Sequence, residues 1–373
     1  MAQTAMGRVF RWPSTIGQSV TFFANPQLFG SQNNLLTGSR NEAVPNFTPT
    51  SSAELDQALS RFREQLFIPY GLPRRQRRSM FQEKHAQRLL DQPITVSISE
   101  NEQFTLRPMK LSDLPTKKEA LQVLKLMEAA NDFKNFVPFM SGLGMANFVL
   151  NSNQWEHLMR VTNKSNKLST ILQCAKQQNT GLQLQGIDLN RRLFFELHTI
   201  AQKADYNVAE VKKALGLAKQ AIDLIENEHH KNKNWKPTVF EDPLKQPFVI
   251  GTLLELSASR AIGEFGGKDE TNEVMSYARK LVNSKLLGKH EETPSSTKMG
   301  EQEKWLQETV PIYNALRLSL LVHGVALDKE LHSSLTRKLA SVKATLDKQM
   351  AKYSAEGAKR PFSYDLFQAA LKA

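Results

Sequence analysis

A helical spacing of apolar residues restricts the fold of this chain most strongly, and it recurs from Thr116 almost to the carboxyl terminus. Thr116 and Glu119 form a capping box, and Leu121, Leu124 and Met127 then follow along one helix face. Further helices are predicted near 134–149, 153–162, 167–178, 190–204, 207–229, 248–263, 271–287, 303–323 and 328–353. Helices joined by short turns need neighbours to bury their apolar faces. The pattern predicts a mainly α protein, an irregular array of antiparallel helical hairpins that is either solenoid-like or a bundle.

One stretch, "ITVSISENEQFTLRPM", follows a different period. Ile94, Val96 and Ile98 alternate with polar residues, and Phe104 and Leu106 do the same after a short polar gap. Alternation of this kind indicates half-buried strands. We therefore predict one short β-hairpin near 94–107, which is too small to be an independent domain.

Ahead of the hairpin lies the densest positive charge of the chain, "PRRQRRS" at 73 to 79. A helix is predicted from about Arg75 to Leu90, on which residues 74, 77, 78, 81, 84, 85 and 88 share a face. Stacked like charges repel by a few tenths of a kcal/mol per pair, roughly, and a phosphate backbone would remove that repulsion. The guanidinium group also fits phosphate oxygens and stacks on bases. We predict RNA binding by Arg74, Arg75, Arg77, Arg78, Lys84 and Arg88; the alternative is a solvated basic face.

A second candidate RNA contact is the segment "NEHHKNKNWKP". Lys231, Lys233 and Lys236 are predicted to contact phosphate, with Trp235 stacking on a base. The alternative interpretation is a helix end, where cations interact favourably with the helix dipole.

The overall charge agrees with a polyanionic partner. Lysine and arginine outnumber aspartate and glutamate, which gives the chain a formal net charge of +12. Such a charge attracts nucleic acid, and binding releases the counterions of the nucleic acid. The alternative role of this charge is solubility.

The single cysteine, Cys174, permits no intrachain disulfide and is predicted to lie on a buried helix face. No run of 18 apolar residues exists, so no membrane span is predicted.

Local signatures of chemistry are absent from the sequence. The stretch "GEFGGKDET" at 263 to 271 is one residue shorter than a phosphate-binding loop, and Asp269 stands where that motif has Ser or Thr. No catalytic triad, paired carboxylates or metal-ligand spacing has supporting context. We therefore predict that the protein is not an enzyme, with no cofactor, no metal site and no small-molecule substrate.

The amino terminus differs in composition from the rest of the chain. Residues 1 to 41 contain no Asp or Glu but carry Arg8, Arg11 and Arg40 among many hydroxyl and amide side chains. This composition is typical of a mitochondrial transit peptide. The alternatives are an ordinary loose tail and an extended arm along a large partner.

These features predict a division of the chain into five parts. They are a transit peptide or extended arm at 1–50, a basic helical hairpin with the β-hairpin at 51–110, a helical-repeat body at 111–287, a linker at 288–302, and a helical pair with a basic tail at 303–373.

The combination resembles the lineage-specific proteins of the fungal mitochondrial ribosomal small subunit, particularly those with a pentatricopeptide-like helical body. The resemblance covers "SAELDQALSRFREQLFIPYGLPRRQRRSMF" and the helical run from "LPTKKEALQVLKLMEAANDFKNF" to "KKALGLAKQAIDLIE". It implies contacts with ribosomal RNA and other mitochondrial ribosomal proteins in the matrix, without catalysis. The regular repeat letters of true pentatricopeptide proteins are missing, so recognition of one base per repeat is not expected.

We therefore predict a structural component of the mitochondrial small subunit that supports mitochondrial translation. The alternatives are an organellar RNA-binding expression factor and an assembly factor for a protein complex.

Overall fold

The computed structural model of the chain describes residues 44–99, 102–231, 236–296, 298–353, 360–361 and 364–372. The acid-free segment 1–41, which carries the transit-peptide prediction, lies outside the described residues. Lys233 and Trp235 of the second candidate RNA contact also lie outside them.

The described residues are mainly helical. The α-helices are α1 Ala53–Phe62, α2 Ile68–Gly71, α3 Arg74–Phe81, α4 Ala86–Asp91, α5 Lys117–Ala129, α6 Phe136–Met145, α7 Ser152–Lys164, α8 Ser169–Lys176, α9 Ile187–Lys203, α10 Val208–Lys231, α11 Pro247–Phe265, α12 Glu273–Val282, α13 Met299–Ser319, α14 His323–Leu327, α15 Lys329–Tyr353 and α16 Tyr364–Lys372. Short 3-10 turns lie at Glu83–His85, Leu111–Asp113, Gln178–Thr180, Pro243–Lys245 and Leu287–His290. Within the described ranges the one sheet is an antiparallel pair, β1 Thr95–Ser99 and β2 Glu102–Thr105. The predicted fold class is confirmed.

A π turn, Arg63–Phe67, joins α1 to α2 without a break in the helical backbone. The amide of Ile68 donates to the carbonyl of Arg63, five residues back. This wider turn lets Phe62 and Phe67 both enter the core, where their rings lie 5.2 and 5.8 Å from the ring of Phe139. The helical backbone therefore runs from Ala53 to Gly71, and its end fixes the position of the basic segment that follows.

Four helices end in the same way. The residue after the C-cap has a positive φ at the ends of α5, α6, α7 and α9, and these residues are Asn131, Asn147, Asn166 and Asp205. After α7, the amide of Lys167 donates to the carbonyl of Thr162 at 2.6 Å, and the amide of Asn166 donates to that of Asn163 at 2.9 Å. This is the Schellman pattern, and Asn and Asp tolerate its left-handed residue better than most side chains do. Each turn stops a helix sharply.

Helix α11 lies at the centre of the body. Every residue from Pro247 to Ser259 is buried, because α11 contacts α9, α10, α12 and α13. Its Val249, Leu253 and Leu256 belong to one hydrophobic core, and its Ile250, Leu254 and Ala258 belong to a second. Gly251 allows α13 to come close, since a Cβ atom there would lie 3.1 Å from Cγ1 of Ile312. The two cores therefore share one helix.

A buried polar cluster fastens α9 to α11. The imidazole Nδ1 of His198 lies 2.8 Å from a carboxylate oxygen of Glu255, and the hydroxyl of Tyr206 donates to the other oxygen at 2.5 Å. Burial, together with the charge of Glu255, raises the pKa of Tyr206 far above its usual value, so the hydroxyl remains a donor. A carboxylate with these partners is compatible with a fully buried position.

Contacts between helices distant in sequence close the body. Helix α9 contacts α13 and α16, and the side-chain amide of Gln202 donates to the carbonyl of Leu366 at 2.6 Å. Repeats of a solenoid contact only their immediate neighbours. Of the two arrangements left open by the sequence, the described helices therefore favour the bundle.

The Schellman ends give a direct test of these turns. We expect Asn166→Ala to lower the free energy of unfolding by about 1 kcal/mol, because alanine disfavours the left-handed conformation. Glycine has no such penalty, so Asn166→Gly should be neutral within roughly 0.5 kcal/mol. Urea unfolding followed by circular dichroism measures both variants. Equal destabilisation by the two variants would contradict this account.

Candidate nucleic-acid interface

The predicted RNA-binding arginines lie on a small substructure that we call the basic unit, residues 72–109 without the undescribed 100–101. It consists of α3, α4 and the β-hairpin packed around a core of their own, formed by Leu72, Met80, Leu89 and Leu106. The amide of Met109 donates to the carbonyl of Met80 at 2.8 Å, which ties the segment after the hairpin to α3. The predicted RNA-binding cations therefore lie on a substructure that is held together by its own hydrophobic core.

The predicted continuous helix from Arg75 to Leu90 is wrong. Helix α3 ends at Phe81, Gln82 is extended with φ −98 and ψ 119, and α4 begins only at Ala86. The reason lies in the hydrophobic core of the basic unit, which contains both Met80 and Leu89. On one continuous helix, residues nine apart would point in directions about 180° apart, so both could not face the same core. The break lets both side chains be buried and removes the single stripe that the sequence predicted.

Six cations on these elements form what we call the basic surface: Arg74, Arg75, Arg77, Arg78, Lys84 and Arg88. All are exposed except Arg77, which is half-buried with its guanidinium 4.9 Å from the ring centroid of Tyr70. Within the part of the chain that the structure describes, none of the six forms an ion pair with a carboxylate, whereas many other cations do. Their positive charge therefore remains available to a partner.

Three neighbouring arginines are bound to carboxylates instead. Arg61 pairs with Glu119 at 2.6 Å, and Arg107 pairs with Glu64 at 3.2 Å. The third, Arg63, donates from both terminal nitrogens to Glu102 at 2.6 Å and from Nε to the carbonyl of Pro45 at 3.0 Å. The pairs of Arg63 and Arg107 fasten the basic unit to the π turn, whereas the pair of Arg61 joins α1 to α5. None of the three arginines is free to bind a partner.

The pair between Arg63 and Glu102 carries the clearest electrostatic signature of the basic unit. The hydrogen bonds from Arg63, strengthened by its charge, hold the pKa of Glu102 below its ordinary value although burial opposes this. Arg63 is 16% exposed in its side chain, and the bidentate geometry is favourable. The hairpin is therefore anchored to the π turn by a charge-assisted contact.

Only part of the second candidate RNA contact, the segment "NEHHKNKNWKP", lies within the described residues. Lys231 is the last residue of α10, and Lys236 is exposed at the start of the connection to α11. Lys233 lies outside the described residues, so the predicted grouping of these three lysines with Trp235 stays a prediction.

Other kinds of site were sought in the same ranges. No three His, Cys, Asp or Glu side chains among the described residues are arranged to hold a metal ion. In the described part, no helix combines the length and the hydropathy that crossing a bilayer requires. His198 and Glu255, an acid–base pair that sequence reasoning missed, are both 0% exposed and join helices instead of facing solvent. Cys174 is buried as predicted, and burial raises the pKa of its thiol.

Comparison with known proteins gives the family. A family model described as mitochondrial ribosomal protein mS27 matches residues 35–366, which include the basic unit and most of the helical body. The chain belongs to this family. The predicted class, a mitochondrial ribosomal protein, is confirmed.

One relative within this class is the small ribosomal subunit protein mS27 of Neurospora crassa. It is 29% identical over 255 residues, which cover 64% of the chain and 64% of the relative. The match therefore spans slightly less than two thirds of the relative's length. This fungal relative agrees with the resemblance read from the sequence.

The anchor of the basic unit has a testable dependence on pH. Because the pKa of Glu102 is lower in the folded chain than its ordinary 4.5, its stabilising contribution is complete above pH 4.5 and is lost as pH falls through the lower folded value. We expect Glu102→Gln to lower stability by about 1 kcal/mol at pH 7, and by progressively less in acid. Hydrogen exchange of the β1 and β2 amides reports the loss locally.

A matched control for this anchor is Glu64→Gln, since Glu64 pairs with Arg107 on the exposed surface. Exposed pairs contribute little, so this change should cost less than about 0.5 kcal/mol. A pH-independent effect of Glu102→Gln, or an equal effect of the two variants, would show that the assigned anchor is wrong.

Proposed function

We propose that this chain is a structural component of the small subunit of the mitochondrial ribosome in the mitochondrial matrix, where its basic surface binds ribosomal RNA. The observation that carries the proposal is the group of six cations without carboxylate partners among the described residues, on a substructure with its own core. Family membership supplies the ribosomal setting.

The chemistry of the basic surface suits a phosphate backbone. Five of its six residues are arginines, whose planar groups bind phosphate oxygens with two parallel hydrogen bonds. Each phosphate neutralised releases condensed counterions, so binding should weaken steeply with salt. The break at Gln82 spreads the cations over α3, a 3-10 turn and α4, which suits a curved RNA backbone better than a straight line of charge does.

The helical body has a different role in this proposal. Its central helix α11 is buried from Pro247 to Ser259, and the contact between His198 and Glu255 is internal, so the body serves as a rigid support that holds the basic unit in place. Its outer faces contact other mitochondrial ribosomal proteins. No catalytic step is part of the proposal.

The test replaces five cations of the basic surface, namely Arg74, Arg75, Arg78, Lys84 and Arg88, by glutamine. Arg77 is kept because it covers Tyr70. We expect at least tenfold weaker binding of small-subunit ribosomal RNA at moderate salt, with the slope of log affinity against log salt reduced by roughly 0.7 per lost phosphate contact. Fluorescence anisotropy measures both quantities, and gradient sedimentation measures incorporation into small subunits.

The control neutralises Arg61 and Arg107, which are bound to carboxylates, and it should leave both the affinity and the salt slope unchanged. Unaltered RNA binding by the fivefold variant would overturn the proposal. Crosslinking of the native protein to messenger RNA instead of ribosomal RNA would favour an expression factor. Association that survives ribonuclease and occurs only with proteins would favour an assembly factor.

A further inference from the structure

The connection between α10 and α11 exposes apolar side chains to solvent. In this segment, which we call the Phe240 loop (residues 236–246), the side chain of Phe240 is 61% exposed and that of Val239 is 47% exposed. Neither residue belongs to a hydrophobic core among the described residues. An aromatic ring in this position is available to a partner.

The backbone of the Phe240 loop is held firmly although its ring is exposed. The side-chain amide of Gln246 donates to the carbonyl of Phe240 at 2.9 Å. The amide and the hydroxyl of Thr238 both donate to one carboxylate oxygen of Glu241, at 3.2 and 3.0 Å. Asp242 is buried and caps the following 3-10 turn. The loop therefore presents Phe240 from a backbone held by hydrogen bonds, which lowers the entropic cost of ordering the loop on binding.

A cation lies over this ring from a different part of the chain. The ammonium of Lys289 is 4.9 Å from the ring centroid of Phe240. Lys289 belongs to the turn Leu287–His290, which is held because Nδ1 of buried His290 lies 3.1 Å from the hydroxyl oxygen of Thr309. The aromatic ring and the ammonium are therefore held together by two separately anchored segments.

We propose that the Phe240 loop is a binding site for an unpaired nucleotide of ribosomal RNA, with the base stacked on Phe240 and its phosphate paired with Lys289. The inference rests on the proposed function and adds a contact distinct from the basic surface. A flat ring with an adjacent cation is the arrangement with which proteins bind unstacked bases, and stacking accepts any base.

The local charge favours RNA over an apolar protein segment as the occupant. Lys236, at the start of the loop, is exposed, and neither it nor Lys289 forms an ion pair with a carboxylate in the described ranges. Two carboxylates lie nearby. One oxygen of Glu241 accepts from Thr238. The other carboxylate is that of Glu308, whose pKa burial raises against the opposing charges of Arg191 and Lys289, and it pairs with Arg191. A purely apolar partner would remove the exposed ammonium of Lys289 from water without supplying an anion of its own, which is costly.

The first experiment measures binding of a fluorescein-labelled single-stranded oligouridine to the full-length chain. We expect Phe240→Ala to weaken binding by at least about fivefold, which corresponds to the loss of one stacked base. Phe240→Tyr should bind like the unchanged chain, since tyrosine also stacks. Leu321→Ala, which removes another side chain that is 59% exposed, is the matched control and should have no effect. Equal binding by the Phe240→Ala and Leu321→Ala variants would overturn the proposal.

The second experiment places a photoreactive phenylalanine analogue at position 240 and irradiates assembled small subunits. A crosslink to ribosomal RNA is expected, and a crosslink to protein, or none to RNA, would overturn the inference. The fivefold basic-surface variant is measured in parallel. If that variant loses RNA binding while position 240 crosslinks to protein, only the nucleotide site is wrong and the proposed function stands.

Discussion

The burial of α11 on all sides is the constraint on which the rest of the fold depends. A helix that is apolar around its whole circumference must be surrounded, and here α9, α10, α12 and α13 surround it. Glu255 lies in the middle of this helix, and its charge is compatible with burial only because His198 and Tyr206 supply hydrogen bonds. Since both hydrophobic cores use α11, disturbance of this one helix would loosen the entire body at once.

The basic unit is stabilised in a different way from the helical body. Its core has only a few large side chains, and it depends on the bidentate contact between Arg63 and Glu102 for its attachment. The body thus carries a small appendage that exposes five cations without carboxylate partners among the described residues. This division lets packing determine where the cations are placed while the cations themselves remain solvated.

Much of this arrangement could be predicted from local sequence patterns. The capping box at Thr116 and Glu119 forms as predicted, and strict alternation located the hairpin. The predicted helix from Arg75 to Leu90 is wrong because the spacing of charges does not show that Met80 and Leu89 are buried in the same small core. Met80 and Leu89 are nine residues apart, so one continuous helix would point their side chains in opposite directions. The Asn residues at the ends of three helices are a further signal in the sequence for where those helices stop.

Other features could not be predicted, because they depend on contacts between distant residues. Arg63 and Arg78 look alike in the sequence, yet one is paired with a glutamate 39 residues away and the other has no such partner among the described residues. Likewise, nothing near Phe240 in the sequence indicates that Lys289 lies over its ring. Pairing of this kind is decided by the packing of the body.

The unpaired guanidinium groups of the basic surface also have a consequence for a copy of the chain that is not yet assembled into a ribosome. Phosphates look the same on every RNA, and contacts with them fix position without reading sequence. If the basic surface binds RNA as proposed, a solitary copy would adhere to transfer and messenger RNAs as readily as to ribosomal RNA. Fidelity of incorporation must then come from the match of many surfaces at once, with electrostatic attraction serving only to bring the molecules together.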